Sequence, residues 1–174
     1  WILARTRQLV ATVTEQTEAL QITSAARNVE TFVDDLSRWY VRRSRDRIQT
    51  GTGQSRAALA SVLTTLSTVT APYVPIFSER LYQGLRPFLK GKRWSESVHL
   101  ATWPKVKALT KAEQKLLTDM ANVRLLVAEG LNQRVAAKLK VRQPLSRATV
   151  GIKLPKELLE ILAEELNVKM IEVG

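Results

Sequence analysis

Apolar residues recur in helical steps along most of this chain and alternate only near its end. Ile2, Leu9, Val13 and Leu20 lie at spacings of seven, four and seven, on one face of a helix. A second row, Ile22, Ala26, Val29, Val33, Leu36 and Tyr40, steps by threes and fours. Neither row contains Gly or Pro, so two helices are predicted over 1–48. The stretch Thr-Gly-Thr-Gly-Gln-Ser at 50–55 is a break. A third helix follows, with Ala58, Leu59, Val62, Leu63, Leu66 and Val69 as a broad apolar face. Thr70-Ala71-Pro72 ends it, because a residue before proline is pushed out of the helical region. Pro75 can open a fourth helix, on which Phe77, Leu81 and Leu85 sit four apart.

Residues 86–108 contain Pro87, Pro104, Trp94 and Trp103 and read as a long loop. Thr110-Lys111-Ala112-Glu113 has the form of a capping box, in which hydroxyl and carboxylate satisfy free amides at a helix start. From there Leu116, Met120, Val123, Val127, Leu131 and Val135 form a long helical stripe. Gly130 interrupts it at a cost of about 1 kcal/mol relative to Ala, and a packing reason is expected there rather than a break. The period then changes. Ala148, Val150, Ile152 and Leu154 alternate with Thr149, Gly151 and Lys153, as in a strand. Pro155 starts a short helix carrying Leu158, Leu159, Ile161, Leu162 and Leu166, and 168–173 is a second strand. The expected fold is therefore mainly α: a helical bundle of about five helices over 1–140, with a small βαβ appendage over 141–174.

Composition narrows the classes open to such a fold. The chain has 174 residues, 45% hydrophobic and 25% charged, which suits one packed domain and excludes a disordered polymer. It has no Cys, which rules out disulfides, thiolate metal sites and a cysteine nucleophile. The single His99 cannot form a histidine metal cluster, and its loop position favours a solvated or capping role. No apolar run approaches the roughly 20 residues of a membrane helix. Trp1-Ile2-Leu3-Ala4-Arg5 brings a charge too early for a signal peptide, and a start at Trp is expected of a piece of a longer chain.

Charge changes the picture most. Lys and Arg number 27 against 16 Asp and Glu, for a net +11. The two ends, 1–37 and 148–174, are slightly acidic, so the surplus lies between them. It is concentrated at 38–47 (five Arg, one Asp), 86–94 (four basic, no acid) and 134–147 (five basic, no acid). Clustering of this kind points to a polyanionic partner, first of all a nucleic acid. A soluble basic face with no partner is the alternative.

Catalytic patterns are wanting. Thr-Gly-Thr-Gly at 50–53 has neither the Lys nor the spacing of a phosphate-binding loop, and it follows a helix rather than a strand. The acidic pairs Asp34-Asp35 and Glu164-Glu165 fall on helix faces expected to be solvated, a poor setting for acid–base chemistry. The chain reads as a binder. Its densest signal is 38–47, where Tyr40 continues the buried stripe and Arg43 and Arg47 prolong that face. Arg38, Arg42 and Arg45 fan round the other side. Arginine grips phosphate with two donors at once and stacks on bases, which suits RNA. Trp39 can stack on an unpaired base or anchor the helix in the core. Ion pairs to Asp34, Asp35 and Asp46 are the alternative for the arginines, but five Arg outnumber those three acids. The second signal is Arg134, Lys138, Lys140 and Arg142 as the long helix ends, with Gln143 able to read a base edge and Pro144 stopping the helix. Part of that charge also complements the helix dipole.

Five blocks in order carry a family resemblance: 32–47 (FVDDLSRWYVRRSRDR), 71–85 (APYVPIFSERLYQGL), 96–104 (ESVHLATWP), 141–145 (VRQPL) and 165–169 (ELNVK). Together they resemble the C-terminal anticodon-binding region of class I aminoacyl-tRNA synthetases. The last two are similar to the isoleucyl branch rather than to the valyl or leucyl branches. The resemblance implies a bundle that docks the anticodon stem and loop of isoleucine tRNA. It implies catalysis by a Rossmann-type domain of the same chain upstream of residue 1, using ATP and Mg, with no cofactor here. The two catalytic signatures of the family, His-Ile-Gly-His and Lys-Met-Ser-Lys-Ser, are absent, since Lys169-Met170 is followed by Ile171. Family members often carry aromatic residues after the arginine block, where this chain has Ile48-Gln49-Thr50. A cytoplasmic monomer without membrane contact is expected. The tRNA contact is expected from Arg38, Trp39, Arg42, Arg43, Arg45, Arg47, Arg134, Lys138, Lys140, Arg142 and Gln143. The two groups would form one basic surface if the long helices that carry them pack side by side. The competing readings are a protein-interaction scaffold whose basic faces only solvate it, and a basic amphipathic helix on a membrane surface.

Overall fold

The computed structural model describes residues 1–51, 53–88 and 94–174. The elements in chain order are α1 (Ile2–Glu18), α2 (Ile22–Asp34), a π-helical segment (Asp35–Val41), α3 (Arg42–Gln49), α4 (Gly53–Thr70), α5 (Pro75–Leu85), α6 (Lys111–Ala136), β1 (Leu145–Val150), α7 (Lys156–Leu166) and β2 (Val168–Val173). Short 3-10 turns occupy Arg86–Phe88 and Val98–Leu100. The mainly helical class and the strand–helix–strand end are those expected from the sequence. By internal contacts the chain divides into Ile2–Leu109 and Thr110–Gly174, with Trp1 assigned to the latter. The sequence places its boundary at 140/141, where helical periodicity stops.

In Ile2–Leu109, α1 packs against α2 and α4, and α4 packs against α5 and α3. Leu9, Val10 and Val13 of α1, Phe32 of α2 and Val62 and Val69 of α4 are fully buried. Leu20, expected on the buried face of α1, is 83% exposed. The reason is the helix end: Leu20 takes a left-handed conformation (φ 57°). Gln21 N donates to Gln16 O (2.8 Å) and Leu20 N to Thr17 O (3.0 Å), the paired bonds of a Schellman motif.

The buried row of α2 also departs from the expected one. Ala25, Phe32, Leu36 and Trp39 are buried, whereas Ile22 and Val33 are exposed. The neighbour decides the face. Arg5 of α1 donates from Nε to Asp35 Oδ2 at 2.9 Å, and its guanidinium lies 5.6 Å from the Phe32 ring centroid. Burying that ion pair turns Phe32 and Asp35 inward. The π-helical segment then takes extra residues per turn, so the buried row steps by five, from Trp39 to Ser44. Tyr40 is only half-buried, and Arg47, expected to prolong the buried face, is exposed.

Pro75 stands at the first position of α5. The loop after α5 is held at several points. Glu79 Oε2 accepts from Val98 N (2.8 Å) and Ser97 Oγ (2.9 Å), while Oε1 accepts from Gln83 Nε2 (2.6 Å). These bonds hold the Glu79 carboxyl below its ordinary pKa, the Gln83 bond most of all. Trp94 packs edge-on against Tyr82 at 4.8 Å, and Trp103 Nε1 donates to Thr14 Oγ1 at 2.8 Å. His99 is exposed, on the short turn that the Ser97 side chain caps.

In Thr110–Gly174, the capping box forms as expected: Thr110 Oγ1 accepts from Glu113 N (3.3 Å), and Glu113 Oε2 accepts from Thr110 N (2.9 Å). Helix α6 runs unbroken through Gly130, where a Cβ would stand 2.6 Å from Leu166 Cδ2. The glycine therefore lets α7 approach, a packing role as anticipated. The strands pair in parallel from Leu145↔Val168 to Val150↔Val173. The first strand was expected over 148–154 but lies three to four residues earlier. Ile152 and Leu154 fall outside it, because β2 ends at Val173 and offers no partner beyond Val150. Leu154 is instead buried just before α7.

Candidate nucleic-acid interface

The first basic group follows from the helical path just described. Arg42, Arg45 and Arg47 are exposed on α3, and Arg38 is exposed on the π-helical segment. Trp39 lies beneath them, 8% exposed, so it anchors the core and is not displayed for base stacking. Its indole still shapes the surface. The guanidinium carbons of Arg42 and Arg43 lie 5.8 and 5.9 Å from its ring centroid, which spreads two cations over one buried aromatic. Arg43 is half-buried there, its guanidinium over the Trp39 ring.

The acids near this group divide their attention. Asp35 is taken by Arg5 of α1, and Asp34 Oδ1 pairs with Arg38 Nε at 2.7 Å, one helical turn away. That pair is largely solvent-exposed and contributes at most about 1 kcal/mol, so it leaves Arg38 able to exchange partners. Arg42 Nε also donates to Arg38 O (2.9 Å), and Arg47 Nη2 to Ser44 Oγ (3.0 Å). The end of α3 is closed by Arg56 of α4, whose Nε and Nη2 donate to Ile48 O (2.7 Å) and Gln49 O (2.5 Å). Sequence spacing missed Arg56, because nothing local links it to a helix end eight residues earlier. Cations on the last carbonyls of a helix also complement its dipole.

The second group sits where α6 ends. Lys138 adopts the left-handed conformation (φ 55°) at the position where Gly is usual. Leu139 N donates to Arg134 O (2.8 Å) and Lys138 N to Val135 O (3.0 Å), again a Schellman motif. Lys138, Lys140, Arg142 and Gln143 are all exposed in the following turn. Arg134 is different. Only 4% exposed, it donates from Nη1 to Lys140 O (3.2 Å) and Gln143 O (3.0 Å), and from Nη2 to Leu166 O (2.6 Å) and Asn167 O (3.1 Å). The sequence reading placed Arg134 with the RNA contacts; the fold spends its guanidinium on main-chain carbonyls instead. Asn167, left-handed at φ 49°, helps from the other side, donating from Nδ2 to Val141 O at 2.9 Å. An Asn between a helical period and a strand is the signal that marks such a helix end.

Arg147 on β1, beyond this turn, faces Glu172 at 3.4 Å. Of the third basic run, 86–94, residues 89–93 lie outside the described residues, and Arg86 donates to Gln83 Oε1 at 2.8 Å. Among the described residues no group of three or more His, Asp or Glu could hold a metal ion, and no helix is long and apolar enough to cross a membrane. The two basic groups belong to different compact units of the chain. Exposed guanidinium and ammonium groups at helix ends, on a buried aromatic and a clamped turn, are suited to phosphate oxygens.

Comparison with known proteins places this arrangement. Residues 1–150 match the family model described as the anticodon-binding domain of tRNA ligase. The isoleucine–tRNA ligase of Thermobifida fusca is 41% identical over 181 residues, covering 99% of this chain and 17% of that protein. The isoleucine–tRNA ligase of Clostridium novyi is 41% identical over 180 residues, covering 100% of this chain and 17% of its own length. That of Deinococcus radiodurans is 40% identical over 181 residues, covering 98% of this chain. The chain thus spans about one-sixth of the length of these relatives, 17% for the first two. With its helices, its capped helix ends and its exposed arginine and lysine groups, the chain belongs to the family of anticodon-binding domains of tRNA ligases.

Proposed function

We propose that this chain docks the anticodon stem and loop of isoleucine tRNA on behalf of an isoleucine–tRNA ligase. The activation of isoleucine with ATP and Mg would be carried out by residues outside this chain. Docking through the exposed cations and Gln143 needs neither ATP nor a metal. The observation that carries the reading is the sorting of the cations. Arg5 is half-buried and Arg134 buried, and both are spent within the fold, whereas Arg38, Arg42, Arg45 and Arg47 remain exposed on the π-helical segment and α3, and Lys138, Lys140 and Arg142 on the turn after α6. Their chemistry suits a phosphate backbone, and the likeness to isoleucine–tRNA ligases supplies the tRNA. A monomer suffices for this role.

The test is a titration of isoleucine tRNA at several KCl concentrations. Contacts to about three to six phosphates release counterions and give a slope of log K against log salt of roughly −2 to −5. The same preparation should give no ATP–pyrophosphate exchange with isoleucine above a protein-free control. A flat salt response, or binding to acidic vesicles in preference to tRNA, would overturn the reading in favour of a solvated scaffold or a membrane-surface role.

A further inference from the structure

The turn that carries the second basic group, residues 137–144, contains no strand or helix of its own. Four exposed polar side chains, Lys138, Lys140, Arg142 and Gln143, project from it. A turn of that kind would sample many shapes, and each cation would lose ordering entropy on meeting a phosphate. Here the main chain is fixed from within. Arg134 Nη1 holds the carbonyls of Lys140 and Gln143, and Nη2 holds those of Leu166 and Asn167 at the end of α7. One planar guanidinium therefore ties two carbonyls of the turn to a helix terminus, which an ammonium with its point charge could not do with the same geometry. The α7 terminus offers a negative dipole end to this buried cation. Asn167 Nδ2 on Val141 O adds a third tie, and Gln143 N closes back on Lys140 O at 3.0 Å. The carbonyls of Lys140 and Gln143 are drawn inward while their side chains are exposed.

We infer that Arg134 is a positioning residue for RNA: it touches no phosphate but holds residues 137–144 in the shape that presents Lys138, Lys140, Arg142 and Gln143 together. This rests on the tRNA-docking reading above and extends it to a buried residue. It also makes a distinction the exposed residues do not. Removing an exposed cation deletes one contact, whereas loosening Arg134 disperses several at once.

The experiment compares Arg134→Lys, Asn167→Gly and Lys138→Gly in this chain. Asn167→Gly retains the left-handed backbone while removing the tie to Val141, and Lys138→Gly retains the helix end while removing one ammonium. Each is measured for tRNA affinity across KCl concentrations, and for amide hydrogen exchange at Leu139, Gln143 and Leu145 in the free protein. Lys138→Gly should keep amide protection and make the salt slope shallower by about one. Arg134→Lys should lose protection at those amides, weaken tRNA binding at least tenfold and make the slope shallower by about two to three. Asn167→Gly should move in the same direction by less, and it serves as the test if Arg134→Lys does not fold. Weakened binding with slope and protection both intact in Arg134→Lys, whose ammonium keeps the charge, would mean direct phosphate contact and overturn the inference. Lost protection with affinity and slope unchanged would reduce Arg134 to a purely structural part and overturn it equally. Absence of tRNA binding by the parent chain would instead sink the docking reading itself, and that outcome is visible before any variant is made.

Discussion

At the scale of single residues, the fold distinguishes side chains of one chemistry by what surrounds them. The Glu79 carboxylate is engaged by Gln83, by the Val98 amide and by the Ser97 hydroxyl. With its pKa below the ordinary 4.5, the folded state binds its proton less readily than the unfolded chain does. The stability it contributes is therefore fully present above the ordinary carboxylate value and disappears as pH falls through the lowered folded value. Urea denaturation from neutral pH down to about 3, followed by Trp fluorescence, should show this loss, and Glu79→Gln should flatten it. An unchanged acid limb in Glu79→Gln would mean the carboxylate is idle. The arginines of α3 separate in the same manner. Arg45→Ala should change stability by less than about 0.5 kcal/mol, as for an exposed side chain. Arg42→Ala should cost a further 0.5–1 kcal/mol or so, because its guanidinium covers the buried Trp39 ring. Thermal melts beside tRNA titrations check both, and each variant should weaken binding.

At the scale of elements, close approach and helix phase do the organising. Helix α7 comes near enough to α6 that a Cβ at 130 would stand 2.6 Å from Leu166 Cδ2, so any larger residue must displace that side chain. Gly130→Val should destabilise Thr110–Gly174 by about 1–3 kcal/mol through overpacking against Leu166. Leu166→Ala added to it should recover part of the loss, since the clash partner is gone. Urea midpoints of the single and double variants give the coupling, and strictly additive losses would show that the two sites do not meet. Gly51 meets its own helix instead, where a Cβ would lie 2.2 Å from the main-chain oxygen of Arg47 just past the end of α3. The π-helical segment acts through phase instead. By stepping the buried row from Trp39 to Ser44, it keeps Ser44 inside and leaves Arg45 and Arg47 outside.

At the scale of the whole molecule, the net charge of +11 is what a polyanion meets first. Long-range attraction of that size is sequence-independent and salt-sensitive, so it governs approach more than choice of partner. The two exposed groups lie on separate compact units, and the docking reading requires both to engage the same tRNA. Combining Arg42→Ala and Arg45→Ala with Lys140→Ala and Arg142→Ala should therefore add the two losses of binding free energy. The salt slope should become shallower by about 0.9 for each phosphate contact removed. Sites with no shared contact add in this way. A combined variant no weaker than the worse of its two parents would show that only one group meets the RNA.

Much of this was legible in the order of residues alone. Helices α1, α4, α5, α6 and α7 follow from periods of three and four between breakers. The Thr110–Glu113 box is local hydrogen bonding, and the charge clusters are simple counts. These properties depend on neighbours within a few positions, which the sequence displays directly. What depended on distant partners was not legible. The inward turn of Phe32 and Asp35 needed Arg5, thirty residues from Asp35, and the shortened β1 needed the length of β2. The π-helical step at Asp35–Val41 hid Trp39 and exposed Arg47 because helix phase there answers to packing rather than to spacing. Above all, the sequence put Arg134 among the surface cations by its four-residue interval from Lys138. Only the tertiary structure decided that carbonyls from residues 140, 143, 166 and 167 converge on it, because a buried charge is tolerated where dipoles from separate segments meet to solvate it.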